Sequence, residues 1–108
     1  MGMTEQEYQD RAAACLAAVA RWVDRVDDDA LDMATQDGLV ALEFEDGVKY
    51  VLNRQSAAHQ MWFAAGARAW HYDWDGADWV DDRDRHRLLA RIAEVVGAKL
   101  GHAVPPVV

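Results

Sequence analysis

The chain has 108 residues, which suits one domain with a single modest core, and we predict one domain over residues 1–108. Its formal net charge of −8 argues against a nucleic-acid partner, which needs a basic surface, and favours cations or a basic protein partner. No apolar run approaches the roughly 20 residues of a membrane-spanning helix, and no export signal begins the chain. A single cysteine suits a reducing compartment, so we expect a cytoplasmic protein without a membrane partner.

The N-terminal segment predicts an amphipathic helix. Thr4 followed by Glu7 has the spacing of a capping box, which marks a helix start. Apolar residues then recur at steps of three and four: Tyr8, Ala12, Cys15, Leu16, Val19, Trp22, Val23 and Val26. We expect this helix to fray between Arg25 and Asp28.

An acidic segment follows the helix. It contains five aspartates and one base, Arg25; the aspartates are Asp24, Asp27, Asp28, Asp29 and Asp32. Carboxylate oxygens are hard ligands that suit Fe³⁺, Fe²⁺, Mn²⁺, Ca²⁺ and Mg²⁺ without strong selection among them. From the residues alone, the same pattern is typical of a solvated helix end or of a surface that docks a basic partner.

Between residues 31 and 80 the apolar period changes to two, which predicts strands. Val40, Leu42 and Phe44 alternate with polar or small residues, and the pair Asp46-Gly47 is a strong hairpin signal. Gly66 and the pair Asp75-Gly76 mark further turns. We predict four to six short antiparallel strands.

One face of this sheet has the composition of a binding surface. Alternation places Asn53 and Gln55 on one face of a strand, and Trp62 and His71 on the corresponding face of the next two. Large aromatics and planar polar groups are enriched at interfaces. We expect the Trp62 indole to be substantially exposed there.

Three of the other tryptophans, Trp22, Trp70 and Trp74, are predicted to be core residues. Trp70 and Trp74 share strand parity with Tyr72 and oppose that of His71. Trp22 lies on the apolar stripe of the first helix.

The C-terminal region predicts a second helix and a packed tail. Asp84 is a plausible N-cap, and Gly97 or Gly101 is a plausible end. The intervening apolar stripe is Leu88, Leu89, Ile92, Val95, Val96 and Leu100. The apolar segment 103–108 is expected to pack between the two helices, since exposing its valines serves no purpose.

Helix, strands and helix in this order indicate an α+β fold, with both helices on one sheet face and the other face in water. We find no nucleophile or phosphate-binding motif, so the chain is not predicted to be an enzyme. Cys15 lies within an apolar stripe and is expected to be an inert core thiol. The four histidines, His59, His71, His86 and His102, have no zinc-like spacing.

Several segments together resemble the frataxin family, specifically its bacterial CyaY type. They are the pair Asp46-Gly47, the run Asn53-Arg54-Gln55, the run His59-Gln60-Met61-Trp62, and the run from His71 to Val80, HYDWDGADWV. The resemblance covers nearly the whole chain. It implies an αβ sandwich with about six strands, weak binding of ferrous or ferric iron at surface carboxylates, and a role in iron–sulfur cluster assembly.

The resemblance also implies partners and site residues. The partners are a cysteine desulfurase and its scaffold protein, and the implied state is a monomer, with iron-induced oligomers as an alternative. The iron ligands map to Asp24, Asp27, Asp28, Asp29 and Asp32, and the partner-binding residues to Asn53, Gln55, Trp62 and His71. Three roles stay open: an iron donor or iron-dependent regulator of the desulfurase, a purely protein-binding modulator, and an iron-oxidising store. We rank the store last, since neither helix carries the Glu and His set of a di-iron site.

Overall fold

A computed structural model describes residues 3–108. In chain order the protein has one helix, six strands that form a single antiparallel sheet, and a second helix. Residues 1 and 2 of the predicted domain lie outside the described part. The elements are α1 (Glu5–Val26), β1 (Leu31–Gln36), β2 (Leu39–Phe44), β3 (Lys49–Gln55), a 3₁₀ turn (Ser56–Ala58), β4 (Gln60–Ala65), β5 (Arg68–Trp74), β6 (Trp79–Asp81) and α2 (Leu88–Leu100). Neighbouring strands in the chain are also neighbours in the sheet. The α+β prediction is confirmed, and no helix within residues 3–108 is both long and apolar enough to cross a membrane.

Helix α1 begins where the capping box predicted it. The Thr4 Oγ1 accepts from the Glu7 backbone N–H at 3.1 Å, and the Glu7 carboxylate accepts from the Thr4 N–H at 3.2 Å. The helix ends at Val26, because Asp27 adopts the left-handed conformation with φ of 50°. This reversal directs the chain toward β1.

Both helices cover the same face of the sheet. Strand register places Leu52 opposite Phe63 and Phe63 opposite Trp70, so alternate residues of adjacent strands form rows on one face. The core joins these rows to buried residues of α1 and α2. Its fully buried large members are Trp22, Tyr8, Tyr72, Phe63, Leu42, Leu52, Met61, Leu88, Ile92, Val19 and Val96. Within residues 3–108, the opposite face of the sheet carries no helix.

The C-terminal tail lies between the helices, as predicted. The Trp22 Nε1 of α1 donates to the Pro105 carbonyl at 2.7 Å, and Val107 is buried. On the other side, Val104 packs beside Gly97 of α2, where an added Cβ would meet the Val104 Cγ2 at 3.6 Å. The tail is therefore part of the core, although it has no regular secondary structure.

The prediction that α2 begins near Asp84 is wrong. The helix begins at Leu88, after Arg87 at the N-cap, whose side chain forms no capping hydrogen bond. Arg85 has a φ of 68°, which a right-handed helix does not accommodate. The Asp84 carboxylate accepts from the His86 N–H at 3.0 Å and so stabilises a turn. The helix ends at Leu100 with Gly101 as its cap, one of the two predicted positions.

The prediction of core positions for Trp70 and Trp74 needs correction. Both lie on the helix-covered face but are only partly buried, whereas Tyr72 and Trp22 are fully buried. The guanidinium of Arg91 lies 4.9 Å from the Trp70 ring centre, so a cation covers part of this ring near the edge of the core.

Candidate functional site: the acidic loop and the helix-free sheet face

The five predicted iron ligands lie at the junction of α1 and β1, which we call the acidic loop (residues 24–32). Asp24 is exposed on the last turns of α1, and Asp27 and Asp29 are exposed in the turn. Asp32 is exposed on β1, and its carboxylate accepts from the Met33 N–H at 2.8 Å. The loop thus presents carboxylates to solvent along its whole length.

Asp28 differs from the other aspartates, because it is half-buried and already paired. One of its carboxylate oxygens accepts from the Ala30 N–H at 2.8 Å, and the other lies 2.6 Å from the His102 Nε2. The hydrogen bond with His102, followed by that from Ala30, lowers the pKa of Asp28. Hydrogen bonding to the Ala103 carbonyl, followed by the Asp28 carboxylate, raises the pKa of His102. His102 is therefore the counter-charge of this part of the loop.

The acidic loop is continuous with the helix-free face of the sheet. Asp32 is opposite Glu43 on β2, and Glu43 is opposite Lys49 on β3, so the three side chains form one row. Lys49 and Glu43 form an ion pair at 3.6 Å. Beyond a row of small residues on this face lies the row in which Leu39 of β2 is opposite Asn53 of β3.

The sheet register brings the predicted partner-binding residues together. Asn53 of β3 is opposite Trp62 of β4, and Trp62 is opposite His71 of β5, so the three form one row across the helix-free face. Gln55 lies in the next row, opposite Gln60. We call these residues and Gln60 the Trp62 patch. We call the row of Asp32, Glu43 and Lys49 the acidic row. Glu43 of that row and Leu39, which lies in the row of Trp62, are four residues apart on β2. At a rise of about 3.3 Å per residue, the two rows are about 13 Å apart.

The expectation that Trp62 is substantially exposed is wrong, because the indole is half-buried. The His71 ring stacks on it with 4.3 Å between ring centres and 23° between planes. Its Nε1 donates to the Gln60 Oε1 at 3.0 Å. The side chain is on the predicted face, but its neighbours hold it in one orientation and cover part of its surface.

Two residues, Gln60 of this patch and Asp82 beside it, were not identified as site residues from the sequence. The Gln60 amide connects Trp62 to Asp73, to which it donates at 3.0 Å, and approaches Asp82 at 3.4 Å. Asp82 also lies 3.9 Å from the His71 Nδ1. The shared parity of Gln60 and Trp62 was a signal for the first residue. Asp82 follows β6 and belongs to no alternating pattern, so nothing in the sequence marks it.

The chemistry that these residues support is cation binding and protein docking. Carboxylates of the acidic loop suit a hard cation in a shallow site with water among its ligands. Among residues 3–108, a group of three candidate metal ligands within 4.8 Å occurs only at Asp81, Asp84 and His86, on the far side of the sheet from the acidic loop in strand order. Cys15 is buried, which raises its pKa to about 12 and makes the thiolate scarce at neutral pH.

Comparison with known sequences finds one domain type over most of the chain. Residues 1–102 match the model of the Frataxin-like domain. The iron-sulfur cluster assembly protein CyaY of Variovorax paradoxus is 32% identical over 102 residues, covering 92% of this chain and 93% of that protein. The protein of the same name from Dechloromonas aromatica is 31% identical, covering 94% and 97%.

Solved structures have the same fold. Frataxin from Psychromonas ingrahamii superposes with a TM-score of 0.87 at 25% identity, covering 94% of this chain and 96% of that one. Trimeric frataxin from Saccharomyces cerevisiae, complexed with ferrous iron, superposes with a TM-score of 0.67 at 22% identity, covering 94% and 89%. The yeast comparison concerns the fold alone.

Proposed function

This chain belongs to the frataxin family, and on that premise we propose that it is an iron-binding accessory protein of iron–sulfur cluster assembly. In this role it donates iron to the assembly machinery or regulates the cysteine desulfurase in response to iron. Its similar relatives are named as iron-sulfur cluster assembly proteins, and the yeast frataxin is complexed with ferrous iron. The proposed role is that of a binding protein in the cytoplasm, not of an enzyme.

The observation that carries the proposal is the acidic loop. It concentrates five carboxylates in nine residues, in a chain with a formal net charge of −8. Asp24, Asp27, Asp29 and Asp32 are exposed and free of the ion pair that occupies Asp28. Oxygen-only ligands with water completing the shell favour weak binding of Fe²⁺ or Fe³⁺, which suits a protein that must release its iron.

We assign docking of the desulfurase and its scaffold to the Trp62 patch. A half-buried indole that is held by His71 and Gln60 offers a rigid aromatic surface, so little side-chain entropy is lost on binding. Asn53 and Gln55 provide donors and acceptors around it. We propose that the protein acts as a monomer, and iron-induced oligomers remain the alternative, since the yeast relative is trimeric.

A second candidate function is a protein-binding modulator of the desulfurase whose iron binding is incidental. The Asp28–His102 pair favours it, because a metal ion at Asp28 must displace an imidazole 2.6 Å away. The acidic loop then docks a basic surface of the partner. The two candidates differ in whether iron changes the effect on the desulfurase.

The test is desulfurase turnover with this protein titrated in, with and without Fe²⁺. Changing Asp27, Asp28 and Asp29 together to Asn is expected to remove the iron dependence while leaving the fold unchanged. The matched control removes three charges elsewhere on the exposed surface, at Asp10, Asp37 and Glu94. An iron dependence that survives the loop variant, or that the control also removes, contradicts iron binding at the loop.

The Trp62 patch is tested in the same assay. Trp62→Ala is expected to weaken binding to the assembly machinery by about 1–2 kcal/mol, the scale of an interface hot spot, while iron binding stays unchanged. If the variant unfolds while the affinity of its folded fraction is unchanged, Trp62 is a structural residue and docking occurs elsewhere.

A further inference from the structure

We propose that Asp81, Asp84 and His86 form a second metal site, for one divalent first-row transition-metal ion. One ligand atom from each residue lies within 4.8 Å of the other two. Asp81 is the last residue of β6, and Asp84 and His86 lie in the turn between β6 and α2, so the site includes no residue of the acidic loop. The proposal therefore does not depend on the proposed function.

Asp81 is the observation that points to a cation. Its side chain is only 2% exposed, and it is the one buried charged residue of the described chain, residues 3–108. The Oδ2 accepts from the Arg83 and Asp84 N–H groups, each at 2.9 Å. The Oδ1 is buried and has no hydrogen-bond partner among the described residues. A buried carboxylate oxygen without a partner is costly, and a bound cation removes that cost.

The turn holds the three ligands on a closed backbone. The Asp81 N–H donates to the His86 carbonyl at 2.8 Å, and the Arg85 N–H donates to the Asp81 carbonyl at 3.2 Å. Arg85 is in the left-handed conformation that this closure requires. The positions of Asp81 and His86 are thus fixed before any ion binds.

His86 has the environment of a metal-binding imidazole. Its Nε2 lies 2.6 Å from the hydroxyl of the fully buried Tyr72, which fixes the ring orientation. Its Nδ1 lies 2.5 Å from the Asp84 Oδ1. An ion between these two groups replaces the proton that they share. Asp84 is exposed, so its carboxylate can rotate and the ion can enter from solvent.

The ligand set defines the class of ion. An imidazole with two carboxylates suits Fe²⁺, Co²⁺ or Zn²⁺, whereas Mg²⁺ and Ca²⁺ prefer oxygen alone. At metal–ligand distances near 2.1 Å, the ligand atoms around a bound ion are about 3–4 Å apart. The three side chains therefore need to move by less than about 2 Å to coordinate one ion. Three protein ligands leave at least one coordination position for water.

The site is tested by titrating Co²⁺ into the protein and recording amide and indole NMR signals. Paramagnetic broadening is expected at the amides of Arg83 and Asp84, which bond to Asp81. It is also expected at the indole of Trp70, whose ring lies 5.9 Å from that of His86. The titration is carried out on the natural chain and on the variant with Asp27, Asp28 and Asp29 changed to Asn. The variant distinguishes binding at the proposed site from binding at the acidic loop. Broadening confined to residues 24–32 overturns the proposal.

Two variants assign the ligands. Asp84→Asn changes an exposed side chain, and His86→Gln removes the imidazole. Each is expected to raise the Co²⁺ concentration that half-broadens the Arg83 amide signal at least about tenfold. His59→Gln is the matched control, since His59 pairs with Glu5 away from this turn, and it should leave the effect unchanged. Equal broadening in Asp84→Asn and the natural chain overturns the assignment, even if His86→Gln fails to fold.

Discussion

Removing the C-terminal tail after His102 is expected to destabilise the domain substantially. The deletion removes Val107, whose burial contributes about 1.5–2 kcal/mol, and the partly buried Val104, which contributes about 0.5–1 kcal/mol. It also removes the Pro105 carbonyl that accepts from the Trp22 Nε1, a hydrogen bond of about 1 kcal/mol. The total of about 3–4 kcal/mol corresponds to a fall in Tm of about 12–16 °C for a domain of this size.

Thermal unfolding followed by circular dichroism measures this effect, and two single substitutions locate it. Val107→Ala removes two buried methyl groups and should cost about 1.6 kcal/mol, at about 0.8 per group. Val108 is 75% exposed, so Val108→Ala is the matched control and should leave Tm unchanged. The tail does not contribute to the core if the truncated chain has the same Tm as the full chain. The same conclusion holds if Val107→Ala and Val108→Ala change Tm equally.

Two further predictions follow from perturbed pKa values. The raised pKa of His102 and the lowered pKa of Asp28 mean that their pair forms between those two pKa values, and is lost above the first and below the second. His102→Gln should therefore raise Fe²⁺ affinity at pH 6 by about two- to fivefold and flatten its rise toward pH 8, measured by calorimetry; an unchanged pH profile contradicts competition. Burial raises the pKa of Cys15 to about 12. At pH 8 its reaction with a disulfide reagent should therefore be at least about thirtyfold slower in the native than in the unfolded protein, because the scarcity of thiolate outweighs its higher nucleophilicity, and equally fast labelling of both would contradict this.

Local chemistry explains which elements could be predicted from the sequence. The capping box of α1 and the two-residue periodicity depend only on neighbouring residues, and both predictions are confirmed. Asp84 misled the prediction of α2 because an aspartate that caps a helix and one that stabilises a turn accept the same kind of backbone hydrogen bond. The left-handed Arg85 separates the two cases, and an arginine gives no sign of that conformation.

Among the site residues, too, local patterns predict some features and miss others. Strand parity correctly placed Trp62 on the helix-free face, but its exposure depends on contacts with His71 of the adjacent strand. The pair of Asp28 and His102 joins residues 74 positions apart, which no local spacing reveals. Parity identifies a face, whereas the burial of a side chain on that face depends on the neighbouring strand.

On the proposed function, the separation of the two surfaces assigns them different parts of docking. The acidic row and the Trp62 patch are about 13 Å apart, more than the Debye length of about 8 Å at physiological ionic strength. The carboxylates of the acidic loop therefore add little to the affinity of a contact at Trp62. At low salt they still attract a basic partner as it approaches. Carboxylates of the acidic loop should therefore act mainly on the association rate, and the indole mainly on the dissociation rate. Iron that neutralises the loop then weakens steering without altering the Trp62 contact, so an iron-sensitive effect on the desulfurase needs no conformational change in this domain.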